Sequence, residues 1–132
     1  MEFGDEIGPR QRAGPGREEV ARYIAAAEIN EPLFSDPALA RALGYAGPVV
    51  PGPLLTAYLE QFVRTELPAW RLDALSATFR VATTAGEPLV FRGVIVERHA
   101  DSDGEHLTCD LVIEHGSGER AVTGTARLTR HP

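Results

Sequence analysis

The segment Pro53–Leu67 has helical spacing and an apolar face too wide for a helix that lies on a protein surface. Its apolar positions are Leu54, Leu55, Tyr58, Leu59, Phe62, Val63 and Leu67. A helix with so broad an apolar face is mostly enclosed by other structure. The rest of the chain must therefore fold a layer around this helix, and Pro68 marks where the helix ends.

After Trp70 the apolar pattern changes from helical to alternating, which is typical of strands with one buried face. The alternating runs are Leu75–Val81, Leu89–Arg98, Leu107–Glu114 and Ala121–Thr129. Asp103-Gly104 and Gly116–Gly118 are hairpin turns between them. We predict an antiparallel meander of these four strands against the central helix, which is an α+β architecture.

The N-terminal residues predict shorter elements. Residues 1–16 form an irregular entry with a short strand near Gln11–Ala13. A first helix begins at about Arg17 and ends near Glu28, because Pro32 disfavours the helical conformation just before it.

A second, short helix is framed by its capping residues. Asp36 is the N-cap, Pro37 occupies the first helical position and Gly44 occupies the position after the C-cap. These residues predict a helix over Ala38–Leu43. The proline-rich segment Pro48–Gly52 then leads into the central helix.

Composition narrows the class of protein. The chain has 132 residues, which predicts one domain spanning 1–132. The net charge of −6 argues against nucleic-acid and membrane-surface partners. Cys109 is the only cysteine, so neither an intrachain disulfide nor a multi-cysteine zinc site is possible. The acidic N-terminus lacks a signal-peptide pattern, and we expect a cytoplasmic protein.

Five motifs in order resemble the MaoC-like hydratase/dehydratase family of the hot-dog fold. They are Phe3–Ile7, Asp36–Tyr45, Pro48–Gly52, Phe79–Leu89 and Gly118–Ala126. The resemblance implies an antiparallel sheet wrapped around the helix Pro53–Leu67. It also implies an acyl thioester of CoA or acyl carrier protein as substrate, no cofactor and no metal. The expected assembly is a homodimer or a heterodimer with another hot-dog chain.

The family signature Asp-x-Asn-Pro-x-His is altered in this chain. Glu28-Ile29-Asn30 matches its first half with Glu for Asp, and Pro32-Leu33-Phe34 matches its second half with Phe for His. Glu31 is then an extra residue between the halves. If the signature is instead aligned on Pro32 without an extra residue, Ile29 falls on the Asp position and Glu31 on the Asn position. The resemblance thus implies Glu28 as the acid/base and Asn30 as its partner, with Glu31 as the alternative.

The missing histidine matters for the chemistry. A phenylalanine cannot transfer a proton, and loss of a general base typically costs about 10²–10⁴-fold in rate. No histidine precedes His99, and the later ones lie in or beside the outer strands or in the tail. A mechanism that uses carboxylates alone remains open, because burial can raise the pKa of a Glu toward neutrality.

Gly52 is the leading candidate for binding the thioester carbonyl. It lies between two prolines that have no N–H, at the start of the central helix, so its amide is a free donor at a positive helix end. The resemblance assigns that task to the equivalent glycine. Phe34, Leu55 and Tyr58 are candidate walls of the substrate pocket, and each is also a candidate core residue.

Three functions remain open at this point. The first is a hydro-lyase acting on an enoyl or 3-hydroxyacyl thioester with a non-standard active site. The second is a non-catalytic subunit of a heteromeric MaoC-like hydratase. The third is a diverged hot-dog enzyme, either a thioesterase or a tailoring enzyme of polyketide or other secondary metabolism.

Overall fold

The computed structural model covers all 132 residues, with one five-stranded sheet, three α-helices and one 3₁₀ turn. In chain order the elements are β1 (Glu6–Ala13), α1 (Arg17–Ala26), the 3₁₀ turn (Pro32–Phe34), α2 (Pro37–Ala42), α3 (Gly52–Glu66), β2 (Arg71–Phe79), β3 (Pro88–Asp101), β4 (Gly104–His115) and β5 (Arg120–Arg130). None of the helices is long and apolar enough to cross a membrane.

The strand order is β1-β3-β4-β5-β2, and every neighbouring pair is antiparallel. The predicted meander holds for β3, β4 and β5, but it is wrong for β2, which pairs with β5 instead of β3. Residues 80–87 carry the chain from one edge of the sheet toward the other. This connection forms no tight hairpin, because Val49 and Thr84 form a β-bridge that ties it to the segment before α3.

The central helix is enclosed as its apolar face predicts. Leu59 and Val63 of α3 are completely buried, as are Ile95, Cys109 and Ile113 of the sheet. All five belong to one apolar cluster. This packing confirms the α+β class and the helix wrapped by an antiparallel sheet.

The first strand is longer than predicted, because it begins at Glu6 rather than near Gln11. Ile7 is buried and pairs with Gly93 of β3. The register then shifts before Arg10 pairs with Phe91. This irregularity interrupts the alternation of apolar residues, which is why the pattern alone indicated only the end of the strand.

Candidate functional site

Two segments that carry predicted site residues meet beside the start of α3. The Val49 N–H donates to the Leu33 carbonyl oxygen at 3.2 Å. This bond joins the loop that contains Glu28–Phe34 to the segment Pro48–Gly52. Phe34 is partly buried and packs against the main apolar cluster. The Phe34 side chain therefore contributes to packing.

Gly52 is the first residue of α3, and its N–H has no backbone acceptor. The N–H groups of Leu54 and Leu55 both point to the Pro51 carbonyl oxygen, at 3.1 and 3.4 Å. Pro53 has no N–H. The Gly52 amide is therefore a free donor at the positive end of a helix, where an anionic or polarised oxygen is stabilised.

The ring of Phe79, at the end of β2, covers Gly52. A Cβ atom built on Gly52 would lie 2.8 Å from two atoms of this ring, so a side chain at this position would displace the ring. Phe79 is 49% exposed and Val81 is 37% exposed. The alternation in the sequence suggested that both point into the core, but the strand ends before the sheet and α3 can cover them. The Phe79 ring is thus an exposed apolar side chain beside the free amide.

Glu28 adopts the left-handed conformation, with φ of 56°. It follows the C-cap Ala27 of α1, its N–H donates to the Ala25 carbonyl at 3.3 Å, and the Ile29 N–H donates to the Ile24 carbonyl at 2.9 Å. This pair of bonds is the Schellman ending of a helix, in which glycine usually occupies the left-handed position.

The next helix ends in the same way but with the usual residue. Gly44 has φ of 94°, and the Tyr45 N–H donates to the Ala40 carbonyl at 2.9 Å. At the left-handed position after the C-cap, α1 has Glu28 and α2 has Gly44. A non-glycine residue in this conformation costs about 1–2 kcal/mol. The sequence pattern located the end of the helix but could not indicate this strained backbone.

The other candidate residues fall into two groups. Asn30 and Glu31 are exposed in the loop, and so is Glu28, which is therefore not activated by burial. Leu55 and Tyr58 are buried members of the apolar cluster, on the face of α3 that packs into the fold.

Tyr58 ties three elements of the fold together. Its hydroxyl donates to the Glu19 carboxylate of α1, and the Arg12 guanidinium of β1 lies 3.8 Å from the centre of its ring. Burial, with a further contribution from Glu19, raises the pKa of Tyr58 to about 12. The hydroxyl is thus neutral at physiological pH and already paired within the chain.

Comparisons with known proteins find solved structures that share this fold. No family model and no curated protein sequence matches the chain, whereas many solved structures do. An (R)-hydratase from A. caviae involved in PHA biosynthesis is 25% identical, with a TM-score of 0.82 over 98% of this chain and 97% of that one. A MaoC-like dehydratase from Rhodospirillum rubrum is 18% identical, with a TM-score of 0.82 over 100% and 95%.

The HadBC (3R)-hydroxyacyl-ACP dehydratase complex from Mycobacterium tuberculosis supplies a third match, at 19% identity and a TM-score of 0.76 over 96% of each chain. The chain has the hot-dog fold of these MaoC-like hydratases and dehydratases. This agrees with the family that its sequence motifs resemble.

The chain also contains a buried polar network that sequence analysis did not indicate. The Thr83 hydroxyl lies 2.9 Å from Nε2 of His115, and Nδ1 of His115 lies 3.1 Å from the Glu119 carboxylate. The Thr83 carbonyl accepts from the Val50 N–H at 2.7 Å. Because Thr83 is only 1% exposed, its hydroxyl cannot reach a substrate, and the network instead holds the segment before Gly52.

Replacing Thr83 by valine keeps its shape and leaves Nε2 of buried His115 without a partner. We expect Thr83→Val to lower the free energy of unfolding by about 1–3 kcal/mol. Urea denaturation checks this, with Thr84→Val as the matched control at a partly exposed neighbour. Equal stability of the two variants contradicts a supporting role for the network.

A groove of about 610 Å³ lies on the outer face of the sheet, away from α3. Its polar lining includes Ser76, Thr78, Asp110, Thr123 and Thr125. None of the predicted site residues borders it.

The single cysteine, Cys109, is fully buried, and desolvation raises the pKa of its thiol to about 11, so the thiol is unreactive.

Proposed function

We propose that this MaoC-like chain binds an acyl thioester of CoA or acyl carrier protein and catalyses hydration or dehydration at a non-standard site. The observation that carries the proposal is the free N–H of Gly52 beside the loop Glu28–Phe34. A single donor at a helix start suits the thioester oxygen, which gains negative charge when water adds to the neighbouring double bond.

In this mechanism Glu28 acts on water and Gly52 acts on the carbonyl. The Glu28 carboxylate takes a proton from water as the water oxygen bonds to C3 of the enoyl thioester. The electron pair of the C2–C3 double bond forms a C1–C2 double bond, the π pair of the carbonyl moves to its oxygen, and the Gly52 N–H stabilises the resulting enolate. Glu28 then returns the proton to C2, and Asn30 orients water and carboxylate. Dehydration runs through the same steps in reverse.

The backbone at Glu28 supports its assignment over that of Glu31. A glutamate in the left-handed position lowers stability relative to glycine, as the neighbouring helix end with Gly44 illustrates. Strained residues of this kind cluster at functional sites, where the side chain is needed despite its cost. In the alternative alignment Glu31 takes the position of the family's Asn, which orients the acid/base residues. Its backbone is extended, with φ of −83° and ψ of 114°, so it has no comparable strain to suggest a functional role.

A non-catalytic subunit is the second candidate function. The observation in its favour is Phe34, whose ring packs against the apolar cluster where the family signature has a histidine. A chain of this kind shapes the acyl pocket while a partner supplies the acid/base pair. The similarity to the HadBC complex supports a hot-dog chain as that partner.

Titration calorimetry tests thioester binding, the part that both functions share. Crotonyl-CoA should bind saturably, and free CoA should bind more weakly because it lacks the thioester carbonyl that the Gly52 amide would bind. Equal affinity for the two ligands, or no binding of either, contradicts a carbonyl site at the start of α3.

The edges of the sheet motivate a prediction about assembly. β2 is an edge strand, and its Leu75 and Ala77 are only partly buried. Unpaired edges are sites of pairing with a second chain. We expect light scattering at micromolar concentration to give twice the chain mass of 14.3 kDa. A stable monomer contradicts this expectation.

A further inference from the structure

A cluster of His99, Asp101 and His106 lies at the tip of the hairpin formed by β3 and β4. His99 pairs directly with His106 across the two strands, and Asp101 pairs with Gly104 at the turn. The two imidazole rings stack, with centroids 4.6 Å apart and an interplanar angle of 18°. One ligand atom from each of the three residues lies within 4.8 Å of the others.

Hydrogen bonds beyond the cluster determine which nitrogen of His106 carries hydrogen. The Thr129 hydroxyl donates its only hydrogen to the Asp73 carboxylate at 2.5 Å. It therefore accepts from Nδ1 of His106, which lies 3.2 Å away. Nε2 of the neutral ring then has a free lone pair. A histidine oriented by such a relay to a carboxylate is the usual arrangement behind a metal ligand.

The lone pair of Nε2 faces an oxygen that is itself an acceptor. Oδ1 of Asp101 lies 2.9 Å from Nε2 of His106 and also accepts from the Asp103 N–H at 2.8 Å. Two acceptors at this distance require a cation between them, either a proton or a metal ion. Ligand atoms that lie ~2.1 Å from a tetrahedral zinc ion are about 3.4 Å apart, so the exposed His99 and Asp101 side chains would rotate slightly to admit such an ion.

We propose that His99, Asp101 and His106 bind a divalent transition-metal ion of the zinc type. Two imidazoles and one carboxylate suit zinc, nickel or copper, whereas magnesium and calcium prefer all-oxygen ligands. The remaining coordination positions face solvent and are filled by water. The Glu97 carboxylate, 3.8 Å from Nδ1 of His99, adds favourable charge.

The site lies at the opposite end of the sheet from Gly52. His106 pairs with Thr129 near the end of β5, whereas Phe79, which covers Gly52, pairs with Val122 near its beginning. Metal binding is therefore separable from thioester binding. Sequence analysis predicted no metal, because only the register of β3 and β4 brings the three side chains together.

Calorimetric titration of the untagged chain with zinc chloride tests the proposal, and magnesium chloride is the negative control. We expect saturable zinc binding at one ion per chain. His99→Gln and His106→Gln should each weaken binding at least ~10-fold. Thr129→Val keeps all three ligands but loses the relay, and it should weaken binding about 10- to 100-fold. His131→Gln removes a histidine outside the cluster and should leave affinity unchanged.

Zinc should also raise the melting temperature of the wild-type chain and of His131→Gln, because it binds only the folded hairpin. Comparison of metal-free melting curves shows whether each variant is folded, and exposed His99 is expected to tolerate substitution without unfolding the chain. Failure of zinc to bind saturably overturns the proposal. So does binding that is equally tight in His99→Gln and His106→Gln, because the cation between Nε2 and Asp101 is then only a proton.

Discussion

Glu28→Gln is expected to lower kcat for an enoyl thioester at least ~10²-fold, the usual effect of removing an acid/base group. The substitution preserves size and hydrogen bonding but prevents proton transfer. Steady-state kinetics on the intact assembly measure the effect. An unchanged kcat means that Glu28 is not the acid/base and that the alignment placing it there is wrong.

Glu28→Gly separates catalysis from folding at the same position. Glycine adopts the left-handed conformation without strain, as Gly44 does at the end of α2. We expect the free energy of unfolding to rise by about 1 kcal/mol while activity falls as in Glu28→Gln. A variant that is more stable and less active distinguishes a functional glutamate from one that serves only to end the helix. Full activity in Glu28→Gly contradicts the assignment independently.

Gly52→Pro is expected to lower kcat about 10²- to 10³-fold, the scale for loss of one oxyanion donor. The backbone accommodates proline here, because Pro51 already has the extended conformation required before a proline, with φ of −59° and ψ of 138°. Proline is also favoured at the first position of a helix. The variant should therefore fold, and its loss of activity should reflect the missing N–H.

Gly52→Ala is the matched control, because it adds a Cβ atom but keeps the N–H. The new atom meets the Phe79 ring at 2.8 Å, and this half-exposed ring is free to move aside. Both variants thus disturb Phe79, and only Gly52→Pro removes the donor. Similar activities in the two variants would show that the amide does not stabilise the transition state.

Local patterns predicted much of the fold. The apolar face of α3 required an enclosing sheet, and Asp36 caps α2 by accepting from the N–H groups of Ala38 and Leu39 at 3.0 and 3.3 Å. The position of β2 was not predictable from such patterns. Its pairing with β5 depends on contacts between residues far apart in the sequence, which alternation within one strand does not encode.

The candidate site was predictable in its segments but not in its contacts. Motif order indicated that the loop Glu28–Phe34 and Gly52 belong together, and the bond between Leu33 and Val49 joins these segments. The contact between Phe79 and Gly52 depends on where β2 ends against α3. The contact by which Thr83 holds the segment before Gly52 likewise depends on how residues 80–87 run from one edge of the sheet toward the other.

Turnover of crotonyl-CoA by the purified chain, followed as loss of the conjugated thioester absorbance, tests the central claim most directly. Our account predicts hydration by the wild-type protein alone, with a kcat at least ~10²-fold lower in Glu28→Gln. Crotonyl-CoA that binds without being hydrated until a second hot-dog chain is added would contradict a catalytic role for Glu28 and identify this chain as a pocket-forming subunit.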